Sequence, residues 1–239
     1  EALVEGWHGR DDDRLRFCVT PRFALSCTPA LLRGAGVLAE RHALPVQTHL
    51  AENHDEISAT GRAFPEAADY LEVYEAHGLC GPRSLFAHCI HLSEGAWDRM
   101  AVHGAAVAHC PDSNFFLGSG CMRLSAPTSR GLRVGLGTDV GAGRSFSLRQ
   151  VMAGAYDAAL TVGTRVSPEA LLWHATRGGA RAMGLGASVG CLAAGYEADV
   201  VALDVPDYVQ SEAALLDAIA FRRDAGAVRA TLVRGRVLR

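Results

Sequence analysis

Three short runs of the sequence each end in a histidine: VQTH at residues 46–49, LFAH at 85–88 and AVAH at 106–109. Short apolar runs of this kind are typical of strands buried in a parallel sheet. Apolar residues at helical spacing fill the stretches between them, so strands and helices alternate. This alternation predicts an α/β fold. The carboxyl end of a strand is where an α/β barrel places its reactive side chains, so these strand ends are candidate site positions.

Two further strands are predicted at residues 16–26 and 133–138. Helices are predicted after Thr28-Pro29, over 55–78 with a break near Pro65, over 93–103 with Ser93 as N-cap, over 145–161 and over 168–185. Together these elements make about five βα units before residue 186, whereas a closed eight-unit barrel typically takes about 250 residues. The pattern therefore predicts either an open sheet or a barrel that lacks three upstream units.

After residue 186 the alternation of strands and helices gives way to short predicted strands. Short strands are predicted at 200–204, 228–233 and 236–238, and Arg234-Gly235 between the last two is typical of a tight hairpin. We therefore predict two parts: residues 1–185, carrying the βα units, and residues 186–239, a segment of a small β-sandwich.

The charge balance excludes some classes of function. The 239 residues hold 23 Lys+Arg and 26 Asp+Glu, a formal net charge of −3, which argues against a nucleic-acid or membrane-surface binder. Seven cysteines occur without a C-x-x-C pair, which excludes zinc-finger and thioredoxin-type motifs and favours free thiols in a reducing cytoplasm. The chain opens with Glu1 rather than methionine, and we expect it to be N-terminally truncated.

Candidate catalytic residues follow the predicted strands. His49 ends one strand, and Glu52 lies three residues later, as suits a metal ligand followed by a carboxylate that moves protons. His88 ends the next strand and could bind a metal or donate a hydrogen bond to a substrate. Asp139 lies in the stretch GLGTDVGAG (135–143), where it could bind a metal and accept protons, or cap the next helix.

Other stretches of the sequence give no sign of a catalytic role, and two known catalytic motifs are missing. The Ser and Asn of HCPDSN (109–114) are expected to order a loop. No G-x-S-x-G elbow occurs, which disfavours a serine hydrolase, and the H-x-E…P-C-x-x-C signature of the small zinc nucleobase deaminases is missing.

Five segments in order carry a family resemblance: VTPRFA (19–24), QTHLAEN (47–53), AHC (87–89), AHCPDSN (108–114) and GTDVGAGRSFS (137–147). From about residue 5 to the C-terminus the chain resembles the amidohydrolase superfamily, and within it the guanine-deaminating branch. The resemblance implies a TIM-type (β/α)8 barrel with one Zn²⁺ and a β-sandwich. Residues 16–23 would then form the fourth barrel strand and 135–139 the eighth.

The resemblance also implies roles for single residues. His49 and Asp139 would bind zinc, and Asp139 would be a second proton acceptor. Glu52 would be the proton shuttle, and His88 would contact substrate and water. The pair Arg22 and Phe23 would hold the purine by hydrogen bonding and stacking. The implied activity of the complete protein is hydrolysis of guanine to xanthine and ammonia, by a homodimer.

One part of the family pattern has no counterpart. The family binds zinc also through a His-x-His motif on its first strand, and no H-x-H occurs in this sequence. Two ligands are fewer than the three that catalytic zinc usually has. Two alternatives therefore stay open: a related deaminase or chlorohydrolase acting on an adenosine derivative, a pterin or a triazine, or a chain that is inactive as it stands.

Overall fold

Four parallel strands form the main sheet of the computed structural model, which describes residues 1–222 and 228–238. Their order in the sheet is their order in the chain: β1 (Val46–Leu50), β2 (Ser84–His88), β3 (Ala106–His109) and β4 (Arg133–Leu136). All three pairings are parallel, so the carboxyl ends of the strands meet at one edge. The predicted α/β fold, an open part of a (β/α) barrel, is confirmed.

Twelve helices are assigned in the described ranges. They are α1 (Ala2–Trp7), α2 (Arg10–Asp13), α3 (Pro29–Arg41), α4 (His54–Ala63), α5 (Tyr70–Ala76), α6 (Glu94–Val102), α7 (Pro111–Phe116), α8 (Ser125–Thr128), α9 (Leu148–Thr161), α10 (Pro168–Trp173), α11 (Gly179–Ala182) and α12 (Glu212–Phe221). A 3-10 turn, Ala24–Ser26, precedes α3, and a π-helical turn, His174–Gly178, joins α10 to α11.

The predicted helix starts are confirmed where a side chain caps them. The Thr28 hydroxyl accepts from the Leu31 N–H at 3.2 Å, and the Ser93 hydroxyl accepts from the Ala96 N–H at 3.1 Å. The break predicted near Pro65 separates α4 from α5.

The segment predicted as a fourth barrel strand, residues 16–23, is not a regular strand. A single bridge joins Val19 to the first residue of β1. The Gln47 N–H still donates to the Val19 carbonyl at 3.0 Å, so the segment runs beside β1 as expected. Pro21 has no N–H to donate, which limits the ladder at this position. The prediction of a continuous strand at residues 16–23 was wrong.

The hydrophobic core lies between the sheet and helices α3, α5 and α6. Exposure alternates along β1: Val46, Thr48 and Leu50 are buried, and Gln47 is exposed. Within the described residues, one face of β1 is buried, and on the other face Gln47 is exposed and His49 is partly buried. The interior face of a closed barrel is normally filled by side chains from the other strands.

Strand β4 approaches α11 closely through two glycines. A Cβ added to Gly135 would lie 2.8 Å from the Gly179 Cα, a distance that real Cβ atoms do not tolerate. The absence of a side chain at Gly135 therefore permits this spacing between strand and helix.

A second, antiparallel sheet follows: β5 (Val200–Leu203), β6 (Val228–Val233) and β7 (Arg236–Val237). Arg234 and Gly235 join β6 to β7 with φ angles of 49° and 74°, the left-handed pair of a two-residue hairpin. The predicted hairpin is confirmed. The division of the chain at residue 186 stays a prediction.

Helix α12 was not predicted. Ser211 caps it, and its apolar residues pack against α9 and α10 in a small cluster that includes Met152, Leu171 and Ala220. Ser211-Glu212 was a readable start signal.

The seven cysteines are all free thiols. Cys89 and Cys110 are buried and Cys191 is exposed, while the other four are partly buried. Among the described residues no helix is both long and apolar enough to cross a membrane.

Candidate functional site

His49, His88 and Asp139 meet at the carboxyl edge of the main sheet. One nitrogen of each imidazole and one carboxylate oxygen lie within 4.8 Å of one another. The register explains this, because β1 and β2 are parallel and pair Leu50 with His88. The two rings stack with their centroids 5.1 Å apart. Asp139 arrives three residues after the end of β4.

The ring of His49 is oriented by the segment that runs beside β1. Its Nδ1 lies 2.6 Å from the Arg22 carbonyl oxygen, which also accepts from the His49 main-chain N–H at 3.1 Å. A carbonyl can only accept, so Nδ1 carries the hydrogen and Nε2 keeps a free lone pair. This is the tautomer that a metal-binding histidine needs.

The ring of His88 is fully buried and is oriented in the same way. Its Nδ1 lies 2.8 Å from the side-chain oxygen of Asn114, which fixes the hydrogen on Nδ1. Its Nε2 is buried without a hydrogen-bond partner among the described residues. That nitrogen faces two carboxylates, Glu52 Oε2 at 3.7 Å and Asp139 Oδ2 at 3.9 Å.

Asp139 is held by a hydroxyl and by a tight turn. The Ser113 hydroxyl donates to its Oδ2 at 2.6 Å. Asp139 has a φ of 47°, and its carbonyl accepts from the N–H groups of Ala142 and Gly143. A Cβ at Gly143 would collide with the Thr138 carbonyl, so this glycine is required. The positive φ of His88, 70°, adds a second strained residue at the same edge.

Glu52 points its carboxylate into the cluster from the loop after β1. Its Oε2 is the atom nearest to His88, and its Oε1 accepts from the Ser119 hydroxyl at 3.0 Å. The Glu52 main-chain N–H donates to the Glu56 carboxylate at 2.9 Å, within the capping box that starts α4. Both the backbone and the side chain of Glu52 are therefore fixed.

Arg22 and Phe23 lie at the rim of the cluster. The Phe23 ring centroid is 6.4 Å from that of His49, and the Arg22 guanidinium carbon is 5.6 Å from the Phe23 centroid. Arg22 is exposed and Phe23 half-buried. The structure thus brings all six predicted site residues to one edge.

From the sequence, Ser113 and Asn114 were expected only to order a loop, and their contacts with the candidate site were not predicted. Ser113 and Asn114 lie on α7, directly after β3, and their side chains contact Asp139 and His88. The one available signal was their position, just after the third histidine-ended run.

The donor set fits a divalent transition metal. Two imidazole nitrogens and a carboxylate oxygen converge, and the buried, unpartnered Nε2 of His88 marks a position that a polar partner would fill.

A second group of possible ligands lies near the amino ends of β2 and β3: Glu75, Cys80 and His103. It is a poor metal site. The guanidinium of Arg99 donates to both Glu75 oxygens at 3.1 Å. Burial raises the pKa of the Cys80 thiol to about 12, which disfavours the thiolate that would bind a metal.

Comparisons with known proteins agree with this geometry. Guanine deaminase from Escherichia coli is 39% identical over 205 residues, which cover 85% of this chain and 46% of that protein. The solved structure of E. coli guanine deaminase matches with a TM-score of 0.94 at 35% identity, over 99% of this chain and 57% of its own. A guanine deaminase structure from C. acetobutylicum with bound guanine matches with a TM-score of 0.89 at 30% identity, over 98% and 58%.

The chain spans about half the length of the curated relatives it matches. The Amidohydrolase family profile matches residues 1–238, which is nearly the whole chain. The chain belongs to the amidohydrolase family.

Proposed function

We propose that the complete protein containing this chain is a zinc-dependent aminohydrolase that converts guanine and water to xanthine and ammonia. One observation carries the proposal: His49, His88, Asp139 and the Glu52 carboxylate converge at one sheet edge, around an imidazole nitrogen that has no hydrogen-bond partner within residues 1–222 and 228–238. The similarity to guanine deaminases supports guanine as the substrate.

His49, through Nε2, and Asp139 are the proposed zinc ligands in this chain. When bound, zinc lowers the pKa of water toward about 7 and so makes it a nucleophile at neutral pH. Catalytic zinc usually has three protein ligands, so the remaining ones are proposed to come from outside these 239 residues.

Glu52 is the proposed proton shuttle. Its carboxylate takes a proton from the water whose oxygen attacks the amino-bearing ring carbon, and it delivers a proton to the ring nitrogen and then to the departing amine. Asp139 accepts the second proton of that water and returns it through Glu52 to the departing amine, so the two protons taken from water are the two that are delivered. The C–N bond to the amino group breaks as ammonia leaves, and the water oxygen becomes the new carbonyl.

The other residues bind and orient the purine. Arg22 donates hydrogen bonds to a purine acceptor atom, and Phe23 packs against the ring. His88 orients the attacked carbon and the water. We also propose that the complete protein is a homodimer of the cytoplasm, where its cysteines stay reduced.

Replacing Glu52 tests the mechanism in the complete protein. We expect Glu52→Gln to lower kcat for ammonia release from guanine by about 10²–10⁴-fold, because general acid–base catalysis contributes that much. Glu40→Gln, at an exposed position on α3, is the matched control and should keep the wild-type rate.

Two results would contradict the proposal. A Glu52→Gln rate within about tenfold of wild type would exclude Glu52 as the shuttle. Turnover of an adenosine derivative, a pterin or a triazine without turnover of guanine would exclude the substrate.

Metal analysis of the same protein tests the ligand assignment. Asp139→Asn should bring bound zinc well below one equivalent per chain, because an amide is a weaker ligand than a carboxylate. Asp157→Asn, at an exposed position on α9, should keep full zinc. Full zinc in Asp139→Asn would remove Asp139 from the ligand set.

A further inference from the structure

We propose that Ser119 is a positioning residue that holds the Glu52 carboxylate in the orientation required for proton transfer. The proposal rests on the function proposed above for Glu52. Its basis is the hydrogen bond from the Ser119 hydroxyl to Glu52 Oε1, 3.0 Å long, which joins residues 67 positions apart in the chain.

Ser119 is itself fixed before it touches Glu52. The residue is 7% exposed. Its main-chain N–H donates to the Asn114 carbonyl at 2.9 Å, and its own carbonyl accepts from His91 Nε2 at 2.8 Å. Because the Ser119 N–H and carbonyl are both hydrogen-bonded, the backbone holds the Ser119 hydroxyl on one side of Glu52.

The region around His91 keeps this arrangement rigid. Gly120 has a φ of 119°, and a Cβ there would lie 3.2 Å from Ile90 Cγ2 and 3.4 Å from the His91 ring. The His91 ring also packs against the His54 ring, with the centroids 4.0 Å apart. Ser119 therefore connects the loops that follow β1, β2 and β3.

The hydrogen bond distinguishes the two oxygens of Glu52. The terminal torsion of a glutamate is broad, so an unrestrained carboxylate turns freely. With Oε1 held by a charge-assisted hydrogen bond, Oε2 is the oxygen that stays toward His88, at 3.7 Å. Ser119 thereby selects the atom that exchanges protons with water and substrate, although it touches neither.

The test uses the complete, zinc-loaded protein and steady-state ammonia release. We expect Ser119→Ala to lower kcat by about 10–100-fold, the usual effect of removing a group that orients a reactive side chain. KM should change less than about threefold, because Ser119 does not bind substrate. Zinc content and thermal unfolding should stay at wild-type levels. Ser129→Ala, which removes an exposed hydroxyl that donates to the Ala126 carbonyl at 3.3 Å, is the matched control.

A double variant separates positioning from a general structural role. If Ser119 acts through Glu52, Ser119→Ala should lower kcat by less than about threefold when added to Glu52→Gln. A full additional loss in the double variant would overturn the proposal, as would an unchanged kcat in Ser119→Ala or a rise in KM alone.

The outcome is independent of the substrate assignment. If another heterocycle is turned over, the same variants are measured on it, and a kcat loss that disappears with Glu52→Gln still supports the role of Ser119. If guanine is turned over but Ser119→Ala is as active as wild type, the proposed function stands and this inference fails.

Discussion

Asn114 decides which nitrogen His88 presents to the site. Its side-chain oxygen accepts the Nδ1 hydrogen at 2.8 Å, so Nε2 is left with a lone pair that faces Glu52 and Asp139. Without this acceptor the other tautomer could form, and its hydrogen on Nε2 would change how His88 orients the water and the attacked carbon.

Removing that acceptor should therefore impair catalysis. We expect Asn114→Ala to lower kcat of the complete protein by about 10–100-fold. Asn114→Asp keeps an acceptor and should lose less activity than Asn114→Ala. Steady-state kinetics on both variants measure the difference, and equal activity of Asn114→Ala and wild type would show that the tautomer of His88 is set elsewhere.

Single site residues could be predicted from sequence only where topology placed them. His49, His88 and Asp139 each end or closely follow a strand, and parallel strands bring such positions together. Ser113 and Ser119 could not be assigned in this way. Their roles depend on side-chain directions across 26 and 67 residues, and serine in a loop fits local turn chemistry equally well.

At the scale of the secondary-structure elements, β4 and α11 approach each other closely. A Gly135 Cβ would lie 2.8 Å from the Gly179 Cα, which belongs to a backbone that cannot rotate away. Overpacking of this kind typically costs about 1–3 kcal/mol.

Two glycine variants test this contact. Gly135→Ala should lower the free energy of unfolding by about 1–3 kcal/mol, measured by denaturant titration. Gly61→Ala, in the interior of α4 with no atom within 4 Å of the added Cβ, should be neutral or stabilising by up to about 1 kcal/mol. Equal effects of the two substitutions would mean that strand and helix can move apart without cost.

Element types were more predictable than their regularity. Apolar runs identified β1 to β4, and capping residues placed the starts of α3 and α6. The segment 16–23 was predicted as a regular strand because its residues favour β structure, and this composition does not reveal the interruption at Pro21. Helix α12 was missed because its residues are apolar on nearly every side, which leaves little helical periodicity to detect.

For the molecule as a whole, buried histidines link stability to pH. Burial lowers the pKa of His109 to about 3 from 6.5, with smaller contributions from His174 and His88. Burial also lowers the pKa of His174, although its hydrogen bond to the Val134 carbonyl works against this. The His109 ring is therefore neutral in the folded protein over the mildly acidic range.

The sign of the pH effect follows from proton uptake. Unfolded His109 binds a proton below about pH 6.5, and the folded residue does so only near pH 3. Above about pH 6.5 the ring is neutral in both states and does not change the free energy of unfolding. As the pH falls from 6.5 toward 3, proton binding favours the unfolded state, and the free energy of unfolding drops by roughly 1.4 kcal/mol per pH unit.

Urea unfolding of the complete protein between pH 7 and 4 measures this loss. We expect the free energy of unfolding of His109→Gln to fall less steeply with decreasing pH than that of wild type. Identical slopes for His109→Gln and wild type would show that His109 is protonated in the folded state.

The distribution of the thiols has a practical consequence for chemical labelling. Burial raises the pKa of the Cys89 and Cys110 thiols, which directly follow His88 and His109, so only a small fraction of each is thiolate at neutral pH. Cys191 is exposed and lies far along the chain from both of them. Among these seven cysteines, a maleimide dye should attach first to Cys191, as peptide mass spectrometry would show. A label on Cys191 would therefore leave the candidate site residues unmodified.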